Sequence, residues 1–289
     1  MNHGVTMGKL DTMTVSQLCR LFIERHSKVF KKSWNKDELY IQTYILPVFG
    51  NREACSIKRG EIELFHKSFN GIFIANRILS LISAIYNKGI DWELVNNNPA
   101  KRIRKFTEVP RDLFIPRQQI SIFISELNKC PLYFQQLIKF VLITGCRKTE
   151  ALNLRWDDID FDSEIIVIRD RKNKRDLTIP LILTIRTVIL STPQLGEYVF
   201  SRNGKKQSDV KRPWFELRER LRKSNFLHRK QIKFNDLRRT VGSWLAQNGA
   251  SSKAIADVLG QVDLKSTERY LRLQMDNKIE IMEKLPSLD

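Results

Sequence analysis

The chain has 289 residues, room for two domains with ordinary cores, and carries 50 Lys and Arg against 32 Asp and Glu, a formal charge of +18. At 42% hydrophobic residues and a pI near 9.9 it is a folded protein with a cationic surface rather than a disordered basic tail, and such a surplus points to a polyanion, most often nucleic acid. Four scattered cysteines, Cys19, Cys55, Cys130 and Cys146, form no Cys-x-x-Cys pair and have no histidine at ligand spacing; reduced, buried thiols are expected, with no metal site. The opening MNHGVTMGKLDTMTV lacks the apolar core of a signal peptide, and no run of about 18 apolar residues occurs, so no membrane partner is expected.

The charge is spread along the chain: 17 basic and 9 acidic side chains fall in the first 105 residues, and 33 and 23 follow. Both halves are therefore expected to touch the polyanion. From Thr14 the text reads as a small helical bundle. TVSQLCRLFIERH, DELYIQTYILPVF, RGEIELFHKSF and NRILSLISAIYNKGI each repeat apolar residues every three to four positions, with Pro and Gly between them or at their ends. NNNPAKRIRKFTEVPRDLF follows, with two prolines and a basic cluster, and reads as an interdomain linker. Its Lys101, Arg102, Arg104 and Lys105 suit a phosphate backbone, and a solvated tether explains them equally well.

The second half opens with helical patterns in PRQQISIFISEL and PLYFQQLIKFVLITG. The period then changes. Ile-rich alternation in DIDFDSEIIVIRD, a polar RKNKR and an extended DLTIPLIL predict a hairpin pairing Glu164–Arg169 with Asp176–Leu181. Helices return in WFELRERLRK, in the run from FNDLRRT, in SSKAIADVLGQ, in STERYLRL and in NKIEIMEKL. The result is a mainly α protein with a small β-sheet, an α+β fold.

Several residues in this half carry possible chemistry. In TGCRKTEALNLRWDDID a tight turn at Gly145 precedes a new helix, with Arg147 expected in its first turn and Glu150 three residues on. A local Arg–Glu pair explains that motif in isolation. FNDLRRT repeats the oddity: Asn235 and Asp236 look like a helix start, and Arg238 and Arg239 stand in a first turn, where the macrodipole disfavours cations. Two arginines at helix starts suggest a clamp on one phosphate. Asn235 projects to the same side as Arg238, while Arg239 points elsewhere, to solvent or backbone. Lys172 lies in a basic hairpin tip shaped to enter a DNA groove, among Arg171, Lys174 and Arg175; spacing alone does not choose between Lys172 and Lys174. Tyr270 in STERYLRL is an ordinary core tyrosine by position, or a covalent nucleophile if arginines stabilise charge on a phosphate.

These pieces, in this order, resemble the tyrosine recombinase (phage-type integrase) family. The resemblance rests on TGCRKTEALNLRWDDID, RKNKRDLTIPL, NDLRRTVGSWLAQNG and VLGQVDLKSTERYLRL, with SWNKDELYIQTYILPVFG and ANRILSLISAIYNKGI for a helical core-binding domain, and covers the chain from about Met13. It implies a tail over residues 1–12, a helical SAM-like DNA-binding domain over 13–100, a basic linker over 101–113 and a catalytic domain with a C-terminal helix over 114–289, with no separate arm-binding domain. It further implies that Arg147 and Arg238 clamp the scissile phosphate of double-stranded DNA and that Tyr270 attacks it to form a 3′-phosphotyrosyl bond. Lys172, chosen over Lys174 by the family pattern, protonates the departing 5′-oxygen, and Glu150 supports the site. No cofactor is implied, because the phosphodiester energy is kept in the covalent bond.

The resemblance also implies two domains clamping the duplex, a basic linker crossing its backbone, and a homotetramer on two DNA sites formed from monomers. DNA-bending accessory proteins and a cytoplasmic, nucleoid-associated location belong to the same expectation. Two positions depart: the family has histidine where this chain has Asn235, and histidine or tryptophan where it has Gln261. An amide hydrogen-bonds a phosphate but does not titrate near neutrality. A slow recombinase of a mobile element is the reading, and its rivals are a DNA-binding accessory protein of the same fold with weak or no catalysis and a type IB topoisomerase-like enzyme.

Overall fold

The computed structural model describes residues 13–109, 111–169 and 176–261. The chain divides into two compact units, Met1–Pro110 and Arg111–Asp289.

Among the described residues of the first unit there are four α-helical segments and a short 3-10 turn, Ala54–Ser56. α1 (15–30) and α2 (34–49) each contain a wider π turn, Ile23–Ser27 and Ile41–Ile45, between α-helical ends. α3 is Arg59–Lys67 and α4 is Ile72–Asp91. α1 starts at Thr14, whose hydroxyl accepts from the Gln17 N–H while the Gln17 side chain accepts from the Thr14 N–H, a complete capping box. The apolar stripes that predict these helices meet in one core around Leu18, Phe22, Ile45, Ile62, Ile78 and Ile85, each 2% exposed or less. Burial of such a side chain contributes about 1.5–3 kcal/mol.

Asn76 of α4, 4% exposed, holds the end of this unit. Its Oδ1 accepts from the Phe106 N–H (3.0 Å), and its Nδ2 donates to the Phe106 carbonyl and to Glu108 (both 2.9 Å). That pattern fixes the amide orientation, so the nearby His66 Nε2 (3.0 Å) carries the proton and donates to Oδ1. The Phe106 ring stacks on His66 at 4.3 Å. Further back, Asn98 donates to the Ser83 carbonyl and to Asn87, and accepts from the Ala100 N–H. The backbone of this basic stretch is thus bonded at intervals, while Lys101, Arg102, Arg104 and Lys105 are all exposed.

In the second unit α5 (Ile120–Leu127) leads to α6 (Leu132–Thr144), a helix buried nearly all round, with Phe134, Leu137, Ile138, Phe140 and Val141 at 0% exposure. A helix apolar on every face is a central one. It packs against α7 (Lys148–Leu152), α8 (Leu183–Leu190) and α10 (Phe234–Gln247). α9 (Lys211–Lys223) and α11 (Ser252–Leu259) are the remaining α-helices among the described residues.

Three short strands, β1 (Ile159–Asp160), β2 (Ile165–Ile168) and β3 (Leu177–Pro180), form an antiparallel sheet in that order. Ile165 pairs with Pro180 and Ile168 with Leu177, the hairpin expected from the alternation. β1 is an addition, since two residues carry too little pattern to be read. Proline 180 sits on the outer strand, where a missing N–H is tolerated.

Three expectations are corrected. The extended run read through Leu183 stops at β3, and α8 follows; its Thr, Ile, Thr, Val and Ile hide a helix, because β-branched side chains have poor helix propensity and good strand propensity. α10 begins earlier than expected, with Lys233 as its N-cap, so Asn235 is its second residue and Arg238 lies one position past the first turn. Cys55 is exposed, unlike the other three cysteines, all of which are free thiols. Among the described residues no helix is long and apolar enough to cross a membrane, and no group of three or more His, Cys, Asp or Glu is placed to hold a metal.

Candidate active site

α6 ends at Gly145 in the left-handed conformation (φ 68°), and its N–H bonds the Val141 carbonyl. A side chain there would also collide: an added Cβ would stand 2.3 Å from Leu259 Cδ2. Two residues on, Arg147 is the extended N-cap of α7 rather than part of its first turn. Glu150, 6% exposed, accepts from the Arg147 N–H at 2.8 Å and from its Nη1 at 2.7 Å. One carboxylate thus caps the helix and fixes the arginine, whose side chain stays 41% exposed. The local Arg–Glu pair expected from the spacing is present. Lys148 donates to Asp209 at 2.7 Å, a bond that holds the Asp209 carboxyl below the usual carboxylate range and anchors the start of α7.

α11 ends in the same way as α6. Gly260 is left-handed (φ 57°), and the Gln261 N–H reaches back to the Ala256 carbonyl at 2.8 Å, a Schellman-type close. The two helix ends meet at Arg238. Its Nη1 donates to the Gly145 carbonyl (2.8 Å) and its Nη2 to the Leu259 carbonyl (2.6 Å), and the residue as a whole is 8% exposed. The carboxyl ends of helices carry partial negative charge and unpaired carbonyls, so α6 and α11 together offset the cost of burying this cation. Arg238 therefore joins the turn before Arg147, the first part of α10 and the segment carrying Gln261. Asn235, one turn from Arg238 on α10, is exposed.

The anion that serves Arg239 is internal. Asp236, fully buried, accepts from the Lys233 N–H (2.8 Å), from Arg111 Nε (2.9 and 3.2 Å) and from Arg239 Nη1. This corrects the solvated or backbone-contacting position expected for Arg239. An acid three residues after Lys233 is the sequence signal for such a cap, the same spacing as Arg147 and Glu150.

Near the hairpin, Arg169 Nε donates to Asp158 at 2.7 Å, which raises the Arg169 pKa, and Asp158 also accepts from the Arg155 N–H. These groups line a cleft of about 280 Å³ that Glu150 shares, so the exit of β2 lies beside the Arg147–Glu150 pair. Lys172, Arg171, Lys174 and Tyr270 lie outside the described residues.

The model of the phage integrase family matches residues 114–277 of this chain, a span holding every residue of this cluster but Arg111. The chain belongs to the phage integrase family. It is a tyrosine-type site-specific DNA recombinase. A tyrosine recombinase of Thermosipho africanus (strain TCF52B) is 25% identical over 280 residues, 91% of this chain and 95% of that protein. Tyrosine recombinase XerA of Thermococcus kodakarensis is 24% identical over 230 residues, 76% of this chain and 79% of that protein.

Among solved structures, the Tn1549 transposon integrase in complex with a circular-intermediate DNA superposes with a TM-score of 0.77 at 18% identity, over 94% of this chain and 100% of that one. A phage lambda integrase tetramer bound to a Holliday junction gives 0.77 at 15% identity, over 90% and 78%. These likenesses establish the integrase fold.

Proposed function

We propose that this recombinase moves or rearranges a mobile element, and that Arg147, Lys172, Arg238 and Tyr270 carry out the chemistry, with Asn235 and Gln261 as phosphate-binding amides and Glu150 as support. The observation that carries the reading is the Arg238 guanidinium, bonded to both Gly145 and Leu259, because it gathers three of the four matched segments at one place. In this scheme the Tyr270 phenol gives its proton to solvent and its oxygen attacks the phosphorus. The bond from phosphorus to the 5′-oxygen breaks, Lys172 gives that oxygen a proton, and a 3′-phosphotyrosyl bond remains. A partner strand's 5′-hydroxyl then attacks the same phosphorus and returns the tyrosine. Charge building on the phosphate is met by the two arginines.

Four protomers on two duplexes would exchange strands in this way; the lambda integrase tetramer on a Holliday junction supports that stoichiometry. Lys101, Arg102, Arg104, Lys105, Arg171 and Lys174 would contact phosphates without reading sequence. DNA-bending accessory proteins would assist where the duplex must bend.

The test starts by selecting duplexes from a random library with the full chain, then nicking the selected site to trap cleavage. A covalent protein–DNA adduct is expected with the wild type and none with Tyr270→Phe. Lys172→Ala should slow its formation by about 10²–10⁴, the usual worth of acid–base help, and Lys174→Ala should not. Equal adduct from Tyr270→Phe would remove Tyr270 as the nucleophile, and no adduct from the wild type on DNA it binds tightly would leave the accessory DNA-binding reading, which the amides at Asn235 and Gln261 favour.

A further inference from the structure

The first residues of the second unit run along α10 and are bonded to it at every turn. Arg111 grips Asp236 with Nε on both carboxylate oxygens and with Nη2 on Oδ2 at 2.8 Å, while Nη2 also donates to the Gln231 carbonyl ahead of the helix. One turn on, Thr240 accepts from the Ile115 N–H at 3.0 Å. After another turn, Trp244 Nε1 donates to the Ile115 carbonyl at 2.9 Å. At the end, Arg117 donates to Asn248 at 2.8 Å.

Positions 236, 240, 244 and 248 are four residues apart, so they form one stripe down a single face of α10. Asp236 is the strongest rung. Its carboxylate is fully buried and shared between Arg111 and Arg239, so removing Arg111 leaves a buried charge with one cation in place of two. The same carboxylate closes the first turn of α10 through the Lys233 N–H. Asn235 and Arg238 flank it in sequence. The axial position of α10 thus decides where those two side chains stand.

We infer that Arg111 is a positioning residue for recombination: with residues 112–117 it splints α10, and its bond to Asp236 sets the placement of Asn235 and Arg238 at the phosphate. The inference rests on the proposed phosphate-binding role of those two residues. The Arg111 guanidinium is bonded to Asp236 and to the Gln231 carbonyl and acts through α10. Its effect is on the rate of strand cleavage more than on affinity, since the cations proposed to bind DNA are other residues and a small displacement at a reacting centre is costly.

The experiment measures the single-turnover rate of adduct formation on the selected, nicked duplex at saturating DNA, with DNA affinity and thermal melting measured on the same full-length proteins. Arg111→Ala and Asp236→Asn should slow cleavage by about 10- to 100-fold, the scale expected of a displacement of about 1 Å, with affinity nearly unchanged. Arg111→Lys should recover part of the rate, because a lysine restores the charge without the two-pronged geometry. If Arg111→Ala has melted at the assay temperature, Trp244→Phe, which removes one hydrogen bond, should show the same slowing to a smaller extent. Unchanged cleavage in these variants overturns the inference alone. So does a loss of rate that tracks loss of affinity, or an Arg111→Lys rate no better than that of Arg111→Ala. Absence of adduct from the wild type overturns the proposed function and this inference with it.

Discussion

Arg238 has a structural explanation that its sequence setting conceals. Read along the chain, a cation near a helix start seems misplaced; in the fold its guanidinium lies at the carboxyl ends of two other helices, through Gly145 and Leu259. Those partners are 93 and 21 residues away in sequence, which is why no local pattern announces them. Asn235, at a position where the resemblance expects histidine, is exposed on α10, and that position leaves room for a larger side chain. Asn235→His should therefore raise the cleavage rate on the nicked duplex, and the gain should vary between pH 5 and 8 as the imidazole titrates, whereas the wild-type amide contributes no such dependence. Rate–pH profiles of the two proteins check this; an unchanged or lower rate in the histidine variant would mean that the site is built around an amide. Asp236 was legible only as a cap, because its two arginine partners include Arg111, 125 residues away.

Among the elements, the long amphipathic helices and the β2–β3 hairpin follow directly from period, since each shows one face to a core. What escaped the sequence was short or compositionally ambiguous: β1 has two residues, and α8 is rich in β-branched residues and takes its helical form from packing on α6. The turn between α6 and α7 depends on a single residue. Gly145→Ala would meet both a left-handed backbone and the Leu259 side chain. Together these should cost about 2–4 kcal/mol, from roughly 1 for the conformation and 1–3 for overpacking, measured by denaturant unfolding. Cleavage should fall further than the stability loss accounts for, because the same carbonyl anchors Arg238.

At the scale of the whole molecule, the charge of +18 sets how strongly binding responds to salt. The logarithm of the affinity for the selected duplex should fall linearly with log salt concentration. Replacing Lys101 and Arg104 by Gln should each reduce that slope by about 1, without changing which sequence is preferred. Titration of binding at several salt concentrations checks it. A slope unaffected by either change would remove this stretch from the DNA interface.

The bonds that Asn76 makes to Phe106 and Glu108 alter what the basic stretch is physically. A loose tether loses chain entropy, about 1–2 kcal/mol per residue ordered, each time it settles on a surface. Here much of that loss is incurred on folding, so the four exposed cations are presented from a backbone already arranged. The same bonds decide where the chain can be cut. A fragment of the first unit ending at residue 100 strips Asn76 of its Phe106 and Glu108 partners and uncovers the stacked face of His66. It should melt well below a fragment carried through residue 109, and comparison of the two melting curves shows whether the segment acts as a linker or as the closing seam of the first unit.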